Sequence, residues 1–295
     1  MSDDVPVNLE EYEQLQRHAL STVPSVNVRM SGNLPNTPLA AATIAFLLGS
    51  VFCFGLLTFL GGFSLWWWTT YQLGFFIAAW SAFHFGEFAV TAGWNLEKCS
   101  VECECHRQWH MKGSLNIRLA FLLDNGSMYH IANGSAVLEY IVTLYFIPSF
   151  KTRAWVSILG MFPVCPVSVL LQLTTEQCTG MIMVLLGQFM RSAAMIHAST
   201  NFSHSLAFRK LESHRLVTDG IYAWCRHPSY AGFFYWALGT QLVLQNSVCF
   251  VLYFILLWRF FYSRTRTEER MLVKFFGDDY VKYRDRVGTK IPFIP

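Results

Sequence analysis

The chain has 295 residues, of which 53% are hydrophobic and only 14% charged, with a formal net charge of +3. Soluble domains carry about 25% charged residues, so this composition argues against a soluble globular enzyme, and its hydrophobicity excludes intrinsic disorder. Eight cysteines in so long a chain do not make a disulfide-dense miniprotein, and a small net charge without a long basic run argues against a nucleic-acid partner.

The distribution of charge sets the class. No Asp, Glu, Lys or Arg occurs between Arg29 and Glu87; Ala154 to Thr175 is uncharged for 22 residues, and Pro228 to Trp258 for 31. A helix needs about 20 apolar residues to cross the hydrocarbon, and only helices or closed barrels satisfy their own backbone there. These runs are continuous in Leu, Phe and Ala, not alternating, and therefore predict helices. The expected fold is an all-α, polytopic helical integral membrane protein of about eight spans. They are 39–60, 65–82, 83–96, 131–149, 154–174, 177–204, 230–244 and 247–266. Gly61-Gly62, Pro148-Ser149 and Gln245-Asn246 mark turns between spans, whereas the division near residue 82 has no such signal, and 65–96 reads equally as one long tilted helix. Three parts are expected: an N-terminal segment 1–38, the N-terminal spans 39–130 with a long loop 97–130, and a core 131–295.

Lys and Arg concentrate in 207–227 and 259–295, which the positive-inside rule places in the cytosol. With eight spans the N-terminus is cytosolic too. The first 30 residues hold no apolar h-region, so no cleaved signal peptide is expected. The loop 97–130 is then lumenal. Asn125-Gly126-Ser127 and Asn133-Gly134-Ser135 are glycosylation sequons, the second close to the membrane.

Within that loop Cys99, Cys103, Cys105, His106 and His110 form C-x3-C-x-C-H-x3-H. Thiolate and imidazole are zinc ligands, but Cys103 and Cys105 are too close for a knuckle and no second knuckle follows. The expectation is incidental thiols or one disulfide, and no metal. Cys53, Cys165, Cys178, Cys225 and Cys249 lie in apolar runs and read as packing residues.

Ionisable groups at membrane depth are functional candidates. His84, Glu87, Glu139, Arg191 and His197 qualify; the plainer reading is that they pair with one another. Three features converge on the cytosolic side. The stretch Leu216 to Gly232 is loop-like at Gly220 and Pro228 yet holds Tyr222, Trp224, His227 and Tyr230, rings able to sandwich a planar ligand. The last span continues without Pro or Gly to Phe276, placing Arg264 and Glu268 four apart on one face. The simple alternative there is a surface ion pair, a role for which Arg266, Glu269 and Arg270 are equally available. A basic-aromatic tail, Phe275 to Tyr283, reads as a lid or membrane-surface helix.

Arg226-His227-Pro228-Ser229-Tyr230-Ala231-Gly232, a hydrophobic hairpin, Arg264-Thr265-Arg266-Thr267-Glu268-Glu269 and Phe275-Phe276-Gly277-Asp278-Asp279-Tyr280 together resemble the protein-S-isoprenylcysteine O-methyltransferase family. Arg191-Ser192-Ala193-Ala194-Met195 and Asn201-Phe202-Ser203-His204 add to the resemblance, which is strong over roughly 130–295. The segment from about Cys99 to Leu119 departs from it as an insertion.

The resemblance implies an endoplasmic-reticulum membrane enzyme with a cytosol-facing site that uses S-adenosyl-methionine, without a metal. It would methylate the C-terminal carboxylate of prenylated cysteine on processed CaaX proteins. It assigns cofactor contacts to His214, Arg215, Leu216, Val217, Tyr222, His227, Pro228, Ser229, Tyr230 and Glu268. A further contact, polar in the family, falls on Ala207 and must be through backbone or methyl. Arg264 would hold the substrate carboxylate. A phospholipid N-methyltransferase is the alternative, but an amine nucleophile needs a base, whereas a carboxylate better explains Arg264. A sterol reductase ranks lower, and a transporter is disfavoured because the halves show no internal repeat.

Overall fold

The computed structural model describes residues 38–60, 70–94, 127–147, 175–202, 210 and 214–295. All regular elements among them are helical: α1 (Pro38–Phe59), α2 (Tyr71–Trp94), α3 (Ser127–Phe146), α4 (Thr175–Ala198), α5 (Pro228–Leu244), α6 (Ser247–Phe276) and α7 (Asp278–Arg286), with 3₁₀ turns at Ser199–Asn201 and Gly220–Ala223. Leu39–Phe59, Tyr71–Trp94, Thr175–Asn201 and Ser247–Phe276 are long and apolar enough to cross a membrane.

One expectation fails here. The spans 65–82 and 83–96 are not separate over the described residues: 71–94 is one helix of 24 residues. At about 1.5 Å per residue it is some 36 Å long, enough for one tilted crossing, and no Gly-Gly or Pro breaks it. The expected eight spans lose one member, and the parity that put the N-terminus in the cytosol goes with it. The span 154–174, the loop cysteines Cys99, Cys103 and Cys105 with Cys165, the sequon at Asn125 and the turn signals Gly61-Gly62 and Pro148-Ser149 lie outside the described residues.

The helices pack by a rule suited to lipid. On α4 the buried residues Gln177, Gly180, Val184, Gly187, Arg191, Ala194 and Ala198 recur at alternating spacings of three and four. The large apolar Ile182, Leu185, Leu186 and Phe189 of the same helix are exposed. Lipid tails solvate Leu and Phe well, so close backbone approach and polar pairing drive assembly instead. A Cβ on Gly187 would sit 2.5 Å from the Gly232 carbonyl oxygen, and one on Gly239 would sit 2.6 Å from that of Gly180. Two glycines seven residues apart on each helix therefore seat α4 and α5 backbone to backbone, antiparallel. Gly55 and Gly74 make the same reciprocal contact between α1 and α2, each Cβ 2.8 Å from the other's carbonyl oxygen.

The central element is α5, with 13 of its 17 residues buried. A helix covered on all sides belongs in a core. The uncharged run 228–258 breaks where expected. Gln245 turns left-handed at φ 55°, and its amide returns to the Leu242 carbonyl. The hairpin tip is fixed to α3: Asn246 Nδ2 donates to the Ala136 carbonyl at 2.8 Å. Glu139 accepts from the Val248 and Cys249 amides at 3.0 and 2.6 Å. These are the first amides of α6, which lack helical partners and favour a carboxylate. Glu139 thus acts as a cap on α6.

Glu87 likewise finds a partner. Arg191 Nε and Nη2 grip both its carboxylate oxygens, and Arg191 Nη1 donates to Ser229 Oγ at 3.1 Å. The rings of Phe83 and Phe233 lie 5.3 and 5.5 Å from the guanidinium. One buried ion pair thereby ties α2 and α4 to the first turn of α5. Cys225 and Cys249 are buried as expected, while Cys53 is exposed on α1. Asn133 is a helical residue of α3 whose amide returns to the Tyr129 carbonyl at 2.9 Å.

Candidate active site

The site forms where the polypeptide turns into α5. Gly220 carries φ +53°, the left-handed region that favours glycine. A Cβ there would also fall 2.3 Å from His197 Cε1. His197 Nε2 lies 3.3 Å from Asp219 Oδ2, so the end of α4 carries the turn. Tyr222 OH reaches the Ala194 carbonyl at 3.3 Å, and the Arg215 amide donates to Asn201 Oδ1 at 2.9 Å. His227 flanks α5 and Pro228 opens it, as suits a residue without an N–H.

The rings of His227 and Tyr230 stack at 5.3 Å with an interplanar angle of 2°. Tyr230 OH donates to Glu268 Oε2 at 2.5 Å and accepts from Arg264 Nε at 2.9 Å. Arg264 also lies over the rings of Tyr230 and Phe260, at 5.4 and 5.9 Å. The i, i+4 spacing of Arg264 and Glu268 does place them on one side of α6, but a phenol stands between them. They are not the exposed ion pair of the plainer reading.

Glu269 is the residue that sequence reasoning undervalued. Its Oε1 accepts from Arg226 Nη2 at 2.9 Å and lies 3.2 Å from His227 Nε2, with 15% of the side chain exposed. The other ring nitrogen of His227 is 3.7 Å from Glu268 Oε2. Two consecutive carboxylates thus flank one imidazole. The adjacency of Glu268 and Glu269 was visible in the sequence; the signal for the second was its exclusion from the Arg264 face.

Arg226 continues this network into the C-terminal residues, donating to the carbonyls of Arg284, Val287 and Pro295 at 2.7, 2.8 and 2.5 Å. The aromatic tail packs onto this same network. Tyr280 and Tyr283 of α7 are buried against Leu216, Leu272, Val273 and Phe276, and Tyr283 OH donates to the Tyr222 carbonyl at 2.6 Å. Burial raises the phenol pKa of Tyr222, Tyr280 and Tyr283, so the hydroxyls of Tyr222 and Tyr283 act as neutral donors. Burial also pushes the Cys225 thiol up to about 11, and it donates to the Thr289 carbonyl.

The structure gathers most of the expected site residues. His214 lies 6.4 Å from the Phe275 ring, and Leu216 packs on α7. Tyr222, His227, Pro228, Tyr230, Arg264 and Glu268 share one end of the bundle. The Ser229 side chain accepts from Arg191 at 3.1 Å. Arg215 is exposed and Val217 half-buried in the same segment. Ala207 lies outside the described residues. Among the described residues no cluster of three or more His, Cys, Asp or Glu is arranged to hold a metal.

The sequence profile of the isoprenylcysteine carboxyl methyltransferase family matches residues 180–274. Protein-S-isoprenylcysteine O-methyltransferase of Schizosaccharomyces pombe is 38% identical over 265 residues, 90% of this chain and 100% of the relative. The chain belongs to the isoprenylcysteine carboxyl methyltransferase family. The mouse (Mus musculus) protein-S-isoprenylcysteine O-methyltransferase is 37% identical over 223 residues, covering 76% of this chain and 66% of the mouse chain. This chain therefore spans just under two thirds of that relative's length. A solved structure of a eukaryotic intramembrane Ras methyltransferase, an isoprenylcysteine carboxyl methyltransferase, superposes with a TM-score of 0.70 at 29% identity. It covers 97% of this chain and 87% of its own. The family match takes in Arg191, the α5 turn, Arg264, Glu268 and Glu269. A multi-pass helical membrane protein is thus established by fold and by relatives together.

Proposed function

We propose that this chain is a protein-S-isoprenylcysteine O-methyltransferase that esterifies the C-terminal carboxylate of prenylated cysteine on processed CaaX proteins. The observation that carries the reading is the Arg264–Tyr230–Glu268 chain at the opening of α5, inside the family-matched stretch. The N-terminal segment 1–38 and the helices of 39–130 flank a catalytic core, 131–295. The basic stretches 207–227 and 259–295 face the cytosol from the endoplasmic-reticulum membrane.

The donor set fits S-adenosyl-methionine. Glu268, with 32% of its side chain exposed, offers a carboxylate to a cation. The parallel, stacked His227 and Tyr230 rings offer a platform beside it, and the turn from His214 to Tyr222 offers backbone groups. When bound, the cofactor supplies an electrophilic methyl group. Cofactor contact through His214, Arg215, Leu216, Val217, Tyr222, His227, Pro228, Ser229, Tyr230 and Glu268, with Ala207 through backbone or methyl, belongs to this proposal.

A C-terminal carboxylate has a pKa of about 3.3–3.7 and is ionised at neutral pH, so it needs no general base. It needs orientation. Arg264 binds it, and Tyr230, bonded to Arg264 Nε, fixes the guanidinium plane. Glu268 holds the phenol from the other side, so the cation for the substrate and the anion for the cofactor are spaced by one hydroxyl. The prenyl chain remains in the bilayer.

The test is methyl transfer from labelled S-adenosyl-methionine to a farnesylated cysteine analogue. Arg264→Ala lowers turnover by roughly 30- to 1000-fold, the loss of about 2–4 kcal/mol of charge-assisted contact, with cofactor affinity near normal. Arg264→Lys recovers little, because the fork is lost. Near-normal turnover in Arg264→Ala removes the carboxylate role, and methylation of a phospholipid amine in place of the carboxylate removes the substrate assignment.

A further inference from the structure

On the other side of α6 from Arg264 lies an open cleft lined by Arg266, Glu269, Arg270, Val273 and Arg284. Helical geometry puts it there: two residues on from Arg264 is about 200° around the helix, and Arg266, Arg270 and Val273 recur at i, i+4, i+7. Arg284 enters from α7 across the bend at Gly277. The charge of the cleft is one-sided. Glu269 is its single lining carboxylate, and that carboxylate is turned to Arg226 Nη2 and His227 Nε2. Asp285, beside Arg284, stands 4.0 Å from Arg284 Nε with most of its side chain in solvent. Glu269 also interacts electrostatically with Arg284, so at the opening three guanidiniums share two carboxylates, and an excess of positive charge remains.

Two of them are held in place. The Arg266 guanidinium lies 4.6 Å from the Tyr262 ring centroid, and Tyr262 stacks on Trp258 at 5.2 Å. Arg270 Nε donates to the Arg266 carbonyl at 3.3 Å. Trp258 ends the uncharged run of α6, and a Trp-Tyr pair at such an end suits the headgroup level. The cleft thus opens just beyond the bilayer surface, where phosphate groups are abundant.

We propose that this cleft is a binding site for a phosphate-type anion, held by Arg266, Arg270 and Arg284. Arginine forks match phosphate oxygens in pairs, and three arginines line this one cleft. The ligand bridges α6 to α7, and α7 in turn holds the Tyr222 turn through Tyr283. Its source is either the headgroup of an anionic phospholipid or a soluble phosphate compound. The site lies outside the methyl-transfer residues and stands whatever reaction they perform.

The test uses the full chain and reads binding, not catalysis. Inorganic pyrophosphate is titrated calorimetrically into detergent-solubilised protein. Unfolding midpoints are measured in nanodiscs of phosphatidylcholine with and without phosphatidic acid. Saturable binding of pyrophosphate, a higher midpoint with phosphatidic acid, or both supports the proposal; a response to the lipid alone identifies a headgroup, and to pyrophosphate alone a soluble ligand. Arg266→Gln and Arg284→Gln each weaken the response roughly ten-fold or more, as expected for losing a hydrogen bond to a charged group. Lys282→Gln, exposed on α7 away from the cleft lining, leaves it unchanged and controls for net charge. No response to either probe overturns the proposal, as does an equal response in the triple variant Arg266→Gln/Arg270→Gln/Arg284→Gln.

Discussion

Tyr230→Phe removes one oxygen atom from the centre of the proposed site. That hydroxyl donates to Glu268 at 2.5 Å and accepts from Arg264 at 2.9 Å. Its ring is packed independently, stacking on His227 at 5.3 Å and on Phe261 at 5.2 Å, and Phe keeps both contacts. A hydrogen bond to a charged group is worth about 1.5–3 kcal/mol. Glu268 is 32% exposed, so water replaces part of its lost bond and that share is roughly halved. The expected loss of transition-state stabilisation is about 2–4.5 kcal/mol, or roughly 30- to 2000-fold in kcat/KM. Steady-state transfer to a farnesylated cysteine analogue measures it. The double variant Tyr230→Phe/Arg264→Ala separates positioning from independent contributions. If the phenol acts by orienting Arg264, the double variant is no slower than Arg264→Ala alone, because coupled residues are non-additive. A loss under about three-fold in Tyr230→Phe, or full additivity in the double variant, refutes the positioning argument.

Gly220→Ala should weaken cofactor binding more than it lowers global stability. The residue keeps φ +53°, a conformation costing an L side chain about 1–2 kcal/mol, and the new methyl displaces His197 and with it the Asp219 contact. Calorimetry with S-adenosyl-homocysteine checks this, and His197→Ala should restore part of the loss by making room; unchanged affinity in Gly220→Ala contradicts it. Glu87→Ala leaves Arg191 buried without its carboxylate and should cost about 3–5 kcal/mol of stability. Glu87→Ala/Arg191→Met should recover much of this in thermal unfolding; a cost below about 1 kcal/mol for Glu87→Ala contradicts the clamp.

The parts of this fold legible in the sequence were those written as continuous runs. Uncharged stretches gave the helices of α1, α4 and the α5–α6 hairpin, and Gln245-Asn246 gave the break, because a bilayer admits few other solutions for such residues. Between 71 and 94 the same signal carried no punctuation, so one helix was divided in two. Motif residues in the turn before α5 were legible because Gly, Pro and several rings in 17 residues are costly to assemble for packing alone. What stayed hidden was partnership across long separations. Glu87 and Arg191 are 104 positions apart, and nothing in either neighbourhood encodes the other.

The same distinction explains the two glutamates. Glu268 reads from spacing, since i and i+4 share a face with Arg264. Glu269 reads as surplus charge until the fold brings Arg226 and His227 against it from 43 and 42 positions away. Desolvation then changes its meaning: a carboxylate 15% exposed beside an arginine 4% exposed is no longer a solvated face, and losing either partner strands the other. Helical spacing reports which residues look in one direction. What stands in that direction is decided by glycines, and the reciprocal contacts of Gly180 with Gly239 and Gly187 with Gly232 bring the end of α4 and the first turn of α5 close enough for Arg191 to reach Ser229. The catalytic geometry proposed here therefore depends on residues with no chemistry of their own.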